Sequence, residues 1–570
     1  MITSIGIENF RAFGERMDIP LRPVTLFFGA NSVGKSTILN VFNLFKQSID
    51  YGEKGRVLVP RVKGGIRDLG SYQDFVNDHD VSKNIKIEIG YESKYQYYVD
   101  AFVANGVTVE YEFNFSAQSR EIGFASLTFK YRGEMLARFE PVDKLPYFLL
   151  KDSYNNGYDP SRSSEHVLIC TEITSDLDFW DKILQMDAKR GFELLDEEEA
   201  KRKADWRLSL WELRAELKSI ERSNIKAIER SNNIVFELKS LIKGSRLARS
   251  LLDFEQNDVE NTDPLALLKR VIDLQRVIES MEFFCKERSP KNLAELASHL
   301  IGKIALPHNG LALRPIRFDQ ALSDIMSLAR LRLPLDVLRG LDVLCIGLNR
   351  DFSSLLPLGP FRNAPERFYM FSGTRPSSVG RKGESLSDLI FKDQDVLLKT
   401  NKWLQRLNLG YEMNVRPLGE NNPDLYEVLL RDISREPSVE VNLTDVGFGV
   451  SQILPFVVQA VSASNQIISI EQPEVHIHPK LQADLGDLLA EVANSDRNVQ
   501  LLIETHSEHL VLRLQKLIRD GKLSKDKVAI INITKGPSGS TAQHMLMDDS
   551  GEFLTEWPGG FFTERLNELF

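Results

Sequence analysis

"VTLFFGANSVGKSTILN", residues 24–40, decides the fold: five β-branched or large apolar residues run into a glycine loop, and an amphipathic segment follows. Gly29, Gly34, Lys35 and Ser36 satisfy the spacing GxxxxGK[ST], which reads as strand, phosphate-binding loop and helix in that order. The physical requirement is backbone N–H groups facing phosphate oxygens, and the run Gly29, Ala30, Asn31, Ser32, Val33, Gly34 provides them. The helix N-terminus at Lys35–Thr37 adds a favourable potential for negative charge. Lys35 is placed to bridge the β- and γ-phosphates and Ser36 to ligate Mg²⁺, so ATP and Mg²⁺ are the expected ligands.

Two later strand ends carry matching chemistry. In "IISIEQPEVHIHP", residues 467–479, an apolar run ends at Glu471, where a carboxylate meets a metal across the sheet from Ser36. The next residue is Gln472, and a primary amide accepts no proton near neutral pH. In "LLIETHSEHL", residues 501–510, a second apolar run brings His506 to the same carboxyl edge, within reach of a γ-phosphate or an attacking water.

Composition sets bounds on the rest. A chain of 570 residues, 42% hydrophobic and 27% charged, is long enough for two to four domains. The net charge of −10 argues against a surface built mainly to hold phosphates, while leaving a local basic groove open. Cys170, Cys285 and Cys345 lie far apart without a CxxC or Cys/His spacing, so neither a disulfide framework nor a structural zinc site is indicated. A reducing cytoplasm fits this usage. The N-terminus has no basic segment followed by an apolar run, so no signal peptide is expected. Val446–Ile470 is uncharged but interrupted by Gln452, Pro455, Gln459 and Asn465, a buried helix and strand and not a membrane span.

Along the chain, Ile2–Ile7 and Val24–Phe28 read as strands, and residues 85–140 alternate as antiparallel hairpins do. From 145 to 340 charged helical patterns dominate, with a short a/d seam at Trp206, Leu210, Leu213, Leu217 and Ile220. Apolar strands are expected again at "LDVLCIGL", residues 341–348, and within 411–430. A helix at 451–463, strands at 467–471 and 499–504, and a helix near 480–493 then alternate as in a mainly parallel sheet. The expected domains are 1–144, carrying the phosphate loop and an antiparallel sheet, a helical insertion at 145–340, and 341–570, which completes the nucleotide fold.

"GANSVGKST", "LGPFRNAPERFY", "NLTDVGFGVSQILPF", "IISIEQPEVHIHPKLQADL", "IETHSEHLVLRLQ" and "DDSGEFLTEWPGGFF" together resemble the ABC-type AAA ATPases of the OLD, RecF and SMC-like group, in particular a subgroup with a DUF3696-type C-terminal region. The resemblance covers about residues 1–140 and 345–570. It implies an α/β fold: an ABC-type P-loop ATPase head, a mixed sheet with an antiparallel β subdomain, split by the helical insertion. It also places "DVGFGVSQ" at the signature loop, where Gly447 and Gly449 would offer backbone N–H groups to a γ-phosphate held by a second subunit. The usual serine is replaced by Gly447, with Ser451 or Asp445 as substitutes. ATP closes head-to-tail pairs in such proteins, which implies a homodimer or a higher homo-oligomer. Gln73, in "DLGSYQDFVND", is the candidate that joins metal and water to the rest of the fold, and Arg11, in "ENFRAF", approaches the phosphates from the first strand. "HIHP" at 476–479 would face the partner, with His476 and His478 in packing or interface roles and no zinc site.

Many relatives resemble "EEPE" where this chain has Glu471-Gln472-Pro473-Glu474. Gln472 can still orient a water, and Glu474 can supply a carboxylate, so Gln472, Glu474 and His506 are the catalytic candidates. Slow or activator-dependent hydrolysis is expected. OLD-family nucleases append a metal-dependent TOPRIM domain after the ATPase, and no DxD cluster with an upstream Glu follows "EQPE" here, so no nuclease is expected in this polypeptide. The resemblance implies an ATPase that regulates a separately encoded HNH nuclease or toxin, as in Septu-like or retron-linked antiphage systems. The alternative is a RecF- or SMC-like repair ATPase that clamps DNA. "KGSRLARS" at 243–250 offers basic residues for nucleic acid, with neighbouring acids that suit a solvated helix face equally.

Overall fold

The computed structural model describes residues 1–52, 56–92, 106–142, 166–182, 289–298, 300–302, 304–318, 333–419, 424–537 and 539–557. The first strands are β1 (Ile2–Glu8), β2 (Met17–Pro20) and β3 (Val24–Phe28), followed by α1 (Lys35–Tyr51) and the four-residue α2 (Tyr72–Phe75). Hairpins β4 (Ile85–Tyr91), β5 (Val107–Ser116), β6 (Glu121–Tyr131) and β7 (Glu134–Pro141) continue the chain, with β8 (His166–Ile173), α3 (Pro290–Ser298), β9 (Ile304–Asn309), β10 (Ala312–Leu313) and β11 (Arg317–Phe318) after them. These strands, with β3 left out, form one ten-stranded sheet in the order β10-β9-β8-β7-β6-β5-β4-β1-β2, with β11 on β9. Every pairing in it is antiparallel, as inward/outward alternation along 85–140 requires.

The C-terminal part supplies α4 (Leu333–Ser353), β12 (Leu355–Leu358), β13 (Tyr369–Met370), α5 (Leu386–Lys392), α6 (Gln394–Arg406), β14 (Tyr411–Pro417), β15 (Leu425–Asp432) and β16 (Val439–Asn442). It ends with α7 (Phe448–Ser462), β17 (Ile467–Glu471), α8 (Pro479–Asn494), β18 (Gln500–Glu504), α9 (Glu508–Arg519), β19 (Val528–Gly536) and β20 (Gly539–His544). A six-stranded sheet runs β12-β17-β18-β3-β19-β20, parallel except for β20. The nucleotide fold is therefore split in sequence and joined in space, because β3 sits between two strands from the far end of the chain.

Strands β3, β17 and β18 are buried along their whole length, so alternate side chains feed two cores. Phe27, Ile467 and Leu502 join a core with α1, α4 and the antiparallel sheet, whereas Leu26, Phe28, Ile470 and Ile503 join a second core with α5 to α9. β13 to β16 form a separate four-stranded sheet against that second core. Among the described residues, no helix is long and apolar enough to cross a membrane.

Two expectations change. Residues 341–348, expected as a strand, lie inside α4, whose buried positions Leu338, Leu341, Leu344, Cys345, Leu348 and Phe352 recur at helical spacing. Ile346, between them, is 54% exposed, which a buried strand would not allow. The segment 145–340 is not wholly helical, since β8 and β9 pair with each other and β8 extends the antiparallel sheet from β7. Trp206–Ile220, residues 243–250, Cys285 and the tail from 558 onward lie outside the described residues.

His308, on β9, is buried with its Nδ1 2.9 Å from the Gly310 carbonyl and its ring edge-on to Phe124. Burial, aided by nearby His166 and opposed by the Gly310 bond, pushes its pKa from 6.5 down to about 4. The unfolded chain then binds more protons between these values, so this stabilisation is complete above about pH 6.5 and lost as pH falls toward 4, by about 3 kcal/mol. Melting temperatures from pH 7 to 4.5 are expected to fall less steeply in His308→Gln than in the wild type.

Candidate functional site

The loop 29–37 joins β3 to α1 under the carboxyl edge of the parallel sheet. Gly29 (φ 144°), Ser32 (φ 61°) and Gly34 (φ 102°) take positive φ and turn the backbone into an anion-facing curl. At Gly29 a Cβ would overlap the Ile533 carbonyl oxygen, and at Gly34 it would lie 3.1 Å from Ala12 Cβ. The chain following the first strand is thus packed on the loop. Val33 is buried and anchors it, while Ala30, Asn31 and Ser32 are exposed. Lys35 is 3% exposed, and its Nζ donates to the Gly29 and Ala30 carbonyls at 3.1 and 2.6 Å. Burial lowers its pKa, and nearby Glu504 and Glu474 oppose that shift.

Three carboxylates face this loop. Glu471 ends β17 and Glu504 ends β18, and the two are direct partners in the parallel register. Arg67 Nη1 donates to both oxygens of Glu471 at 2.7 and 3.0 Å. Glu504 is 5% exposed with Ser36 beside it, and its Oε2 is buried without a partner. Burial raises the Glu504 pKa, with Glu471 adding to the rise and the Ser36 hydroxyl, Lys35 and Arg67 opposing it. Glu474 accepts from Thr505 Oγ1 at 2.9 Å and from the His506 N–H at 2.7 Å. Burial raises its pKa against these bonds and the positive charge of Arg362.

Gln472 has φ 48°, and its N–H donates to the Glu504 carbonyl at 2.8 Å. Its backbone is therefore pinned beside Glu504. His506 lies in a braced turn: Ser507 caps α9 by accepting from the Leu510 N–H and donates its hydroxyl to Gln482 Oε1 at 2.8 Å. The imidazole Nε2 is buried without a partner, and burial, then Lys35, lowers its pKa.

Among the sequence candidates, the structure brings Lys35, Ser36, Glu471, Glu474 and His506 together. Gln73 is exposed on α2, and no hydrogen bond joins it to Glu471; Arg67, six residues earlier, takes that contact. Arg11 (φ 51°) has a buried, unpartnered Nε, and burial, then the like charge of Arg67, lowers its pKa. Glu504 and Arg67 were missed from sequence, although Glu504 carried a signal as the acid that ends an apolar strand. Arg362 was missed too. It is 7% exposed, all three guanidinium nitrogens are unpartnered, and burial lowers its pKa to about 10 against the charge of Glu474. Its loop is fixed by Gly359 N–H to Arg381 O and Asn363 N–H to Lys382 O, and Arg381 donates to the Ile66 carbonyl beside Arg67.

The signature-like loop packs on the segment after Glu471. Phe448 is 53% exposed and edge-on to His476 at 5.0 Å, and His478 Nδ1 accepts from the Lys480 N–H at the start of α8. Ser451 turns inward to donate to the Phe448 carbonyl at 2.8 Å, and Asp445 is held by Arg367 at 2.7 and 3.1 Å. Both substitutes for the missing serine are thus engaged within the chain. A Cβ on Gly447 would meet nothing within 4 Å, whereas one on Gly449 would lie 2.7 Å from the His476 carbonyl oxygen. Gly447→Ser is expected to fold normally and gain a few tenths of a kcal/mol as an N-cap, and Gly449→Ala to lose stability. Thermal denaturation of the two variants checks this.

The donor set fits a nucleotide with Mg²⁺: an anion-facing curl, a buried lysine bonded only to loop carbonyls, and a strand-end carboxylate, Glu471, that a cation, Arg67, engages at both oxygens. Ser36 and Glu471 would hold the metal, which when bound neutralises charge between the β- and γ-phosphates. Among the described residues, no group of three or more His, Cys, Asp or Glu side chains is placed to hold a metal ion, so the metal would rest on Ser36, Glu471 and the nucleotide.

The P-loop strand β3 next to β18, with β17 and β18 ending in paired carboxylates, and a large antiparallel sheet alongside define an ABC-type P-loop ATPase head. The chain belongs to the AAA ATPase domain family, whose model matches residues 1–511. No curated protein matches the sequence. Among solved structures it is similar to the SMC head domain from Thermotoga maritima, with 10% identity, TM-score 0.33, and 95% of this chain and 98% of that chain covered. It is also similar to the Pyrococcus furiosus Smc head domain with an extended coiled coil bound to the C-terminal domain of ScpA, with 10% identity, TM-score 0.34 and 96% of each chain covered. TM-scores this low leave the assignment to the family match and the topology.

Proposed function

We propose that this protein is an ATP-binding, slowly hydrolysing ATPase that pairs with a second copy through ATP held between heads. In this reading it regulates a separately encoded effector, an HNH nuclease or toxin, in antiphage defence. The observation that carries slow turnover is Gln472, which follows the metal carboxylate where relatives resembling "EEPE" have an acid. The exposed Phe448 and the open space around Gly447 support a surface that receives a second head. The defence role rests on the motif resemblance alone.

The test is ATP turnover and molecular mass together, for wild type and Lys35→Ala, with and without DNA and the product of a neighbouring gene. Slow turnover with ATP-stable oligomers that hold the neighbour supports the gated complex. Brisk, DNA-stimulated turnover without a partner would replace this reading with a RecF- or SMC-like repair ATPase.

A further inference from the structure

Resting on the ATPase reading above, we infer that Glu504 takes over the proton-accepting role that Gln472 cannot fill. Three carboxylates stand at this edge, and their partners separate them. Arg67 engages both oxygens of Glu471. Thr505 and His506 engage the two oxygens of Glu474. Of the three, only Glu504 keeps a buried oxygen, Oε2, with no partner. A buried carboxylate oxygen without a donor is costly, and a site that keeps one is shaped for a donor that arrives with the ligand.

Register places this oxygen in the right neighbourhood. Glu471 and Glu504 are paired across adjacent parallel strands, so their side chains leave the same face of the sheet. The Gln472 N–H is bonded to the Glu504 carbonyl at 2.8 Å, so the position after the metal carboxylate and Glu504 are joined through the backbone. A proton acceptor moved from residue 472 to residue 504 crosses to the adjacent strand and remains at the carboxyl edge beside Ser36.

In the step assigned, the water oxygen bonds to the γ-phosphorus as the bond from that phosphorus to the β,γ-bridging oxygen breaks. The electron pair of the broken bond leaves with ADP. The water proton passes to Glu504 Oε2 and then to the released phosphate, so the carboxylate is regenerated. Gln472 orients the water through its amide without taking the proton.

The experiment measures single-turnover cleavage of ATP, binding of a fluorescent ATP analogue, and ATP-dependent mass for wild type, Glu504→Gln, Glu504→Gln/Gln472→Glu and Lys35→Ala. Glu504→Gln is expected to slow cleavage about 10²- to 10³-fold while analogue affinity and ATP-dependent mass stay within about threefold. Adding Gln472→Glu is expected to restore at least about a tenth of the wild-type rate, which a merely structural defect at residue 504 would not permit. Cleavage by Glu504→Gln within threefold of wild type overturns the assignment. So does a parallel loss of analogue binding, or a double variant no faster than the single. Failure of the ATPase reading itself has a different signature: wild type and Lys35→Ala would cleave ATP equally slowly.

Discussion

Lys35→Ala is expected to lower ATP turnover by about 10²- to 10³-fold and to remove stabilisation by ATP, while leaving the protein folded. The ammonium group is buried and, in the absence of phosphate, bonded only to the carbonyls of Gly29 and Ala30. Those carbonyls belong to the loop that must face the nucleotide, so the amine is stored beside its ligand position. Its removal costs the folded protein little, because burial already disfavours its charge. With ATP at about a hundred times its dissociation constant the wild type gains about 2.7 kcal/mol, and the variant is expected to gain almost none. Thermal melts with and without Mg²⁺-ATP check the difference directly. A variant melting point that rises with ATP as the wild type does would remove Lys35 from the site.

The second large effect concerns Glu474 and Arg362. Glu474→Ala is expected to destabilise the protein by about 3–5 kcal/mol, because it leaves a buried guanidinium without its one counter-charge and releases the His506 turn. Arg362→Met keeps similar volume but strips the buried Glu474 carboxylate of its counter-charge, so it is expected to lower the melting temperature too, by less than Glu474→Ala because Thr505 and the His506 N–H still hold that carboxylate. The double variant then recovers most of the stability lost in Glu474→Ala, though the Thr505 and His506 bonds stay broken. A double variant as unstable as the single would mean that Arg362 and Glu474 are not coupled. Stability restored without turnover would show that the pair serves His506 and not the core.

The sequence made the phosphate loop, β17 and β18 legible because a strand of five buried residues ending in a charged one has few other readings. It was less informative where apolar runs are short. Residues 341–348 satisfy a buried strand and a buried helix equally, and only the flanking positions Leu338 and Phe352 extend the helical spacing. β8 and β9 are separated by more than a hundred residues of charged sequence, and pairing at that range leaves no local trace. In the site, position in a motif identified Lys35, Ser36, Glu471 and His506. Arg67 and Arg362 stand in irregular loops where an arginine is ordinarily solvated, so their roles came from tertiary contact alone. Glu474 was legible as an acid near the site, but its two hydrogen bonds recast it as the brace of His506.

The position of β3 carries a consequence for synthesis. Residues Val24–Phe28 pair with Leu501–Glu504 on one side and with Val528–Asn532 on the other. At about 5–20 residues per second, a ribosome needs roughly 25–100 s between making Phe28 and making the last of these partners. For most of that interval the strand beneath the phosphate loop has neither neighbour, and a buried, largely apolar strand must be shielded from other chains. The nascent polypeptide thus completes the sheet beneath its nucleotide pocket only after residue 532 is made, and a ribosome stalled before residue 500 leaves β3 without either neighbour.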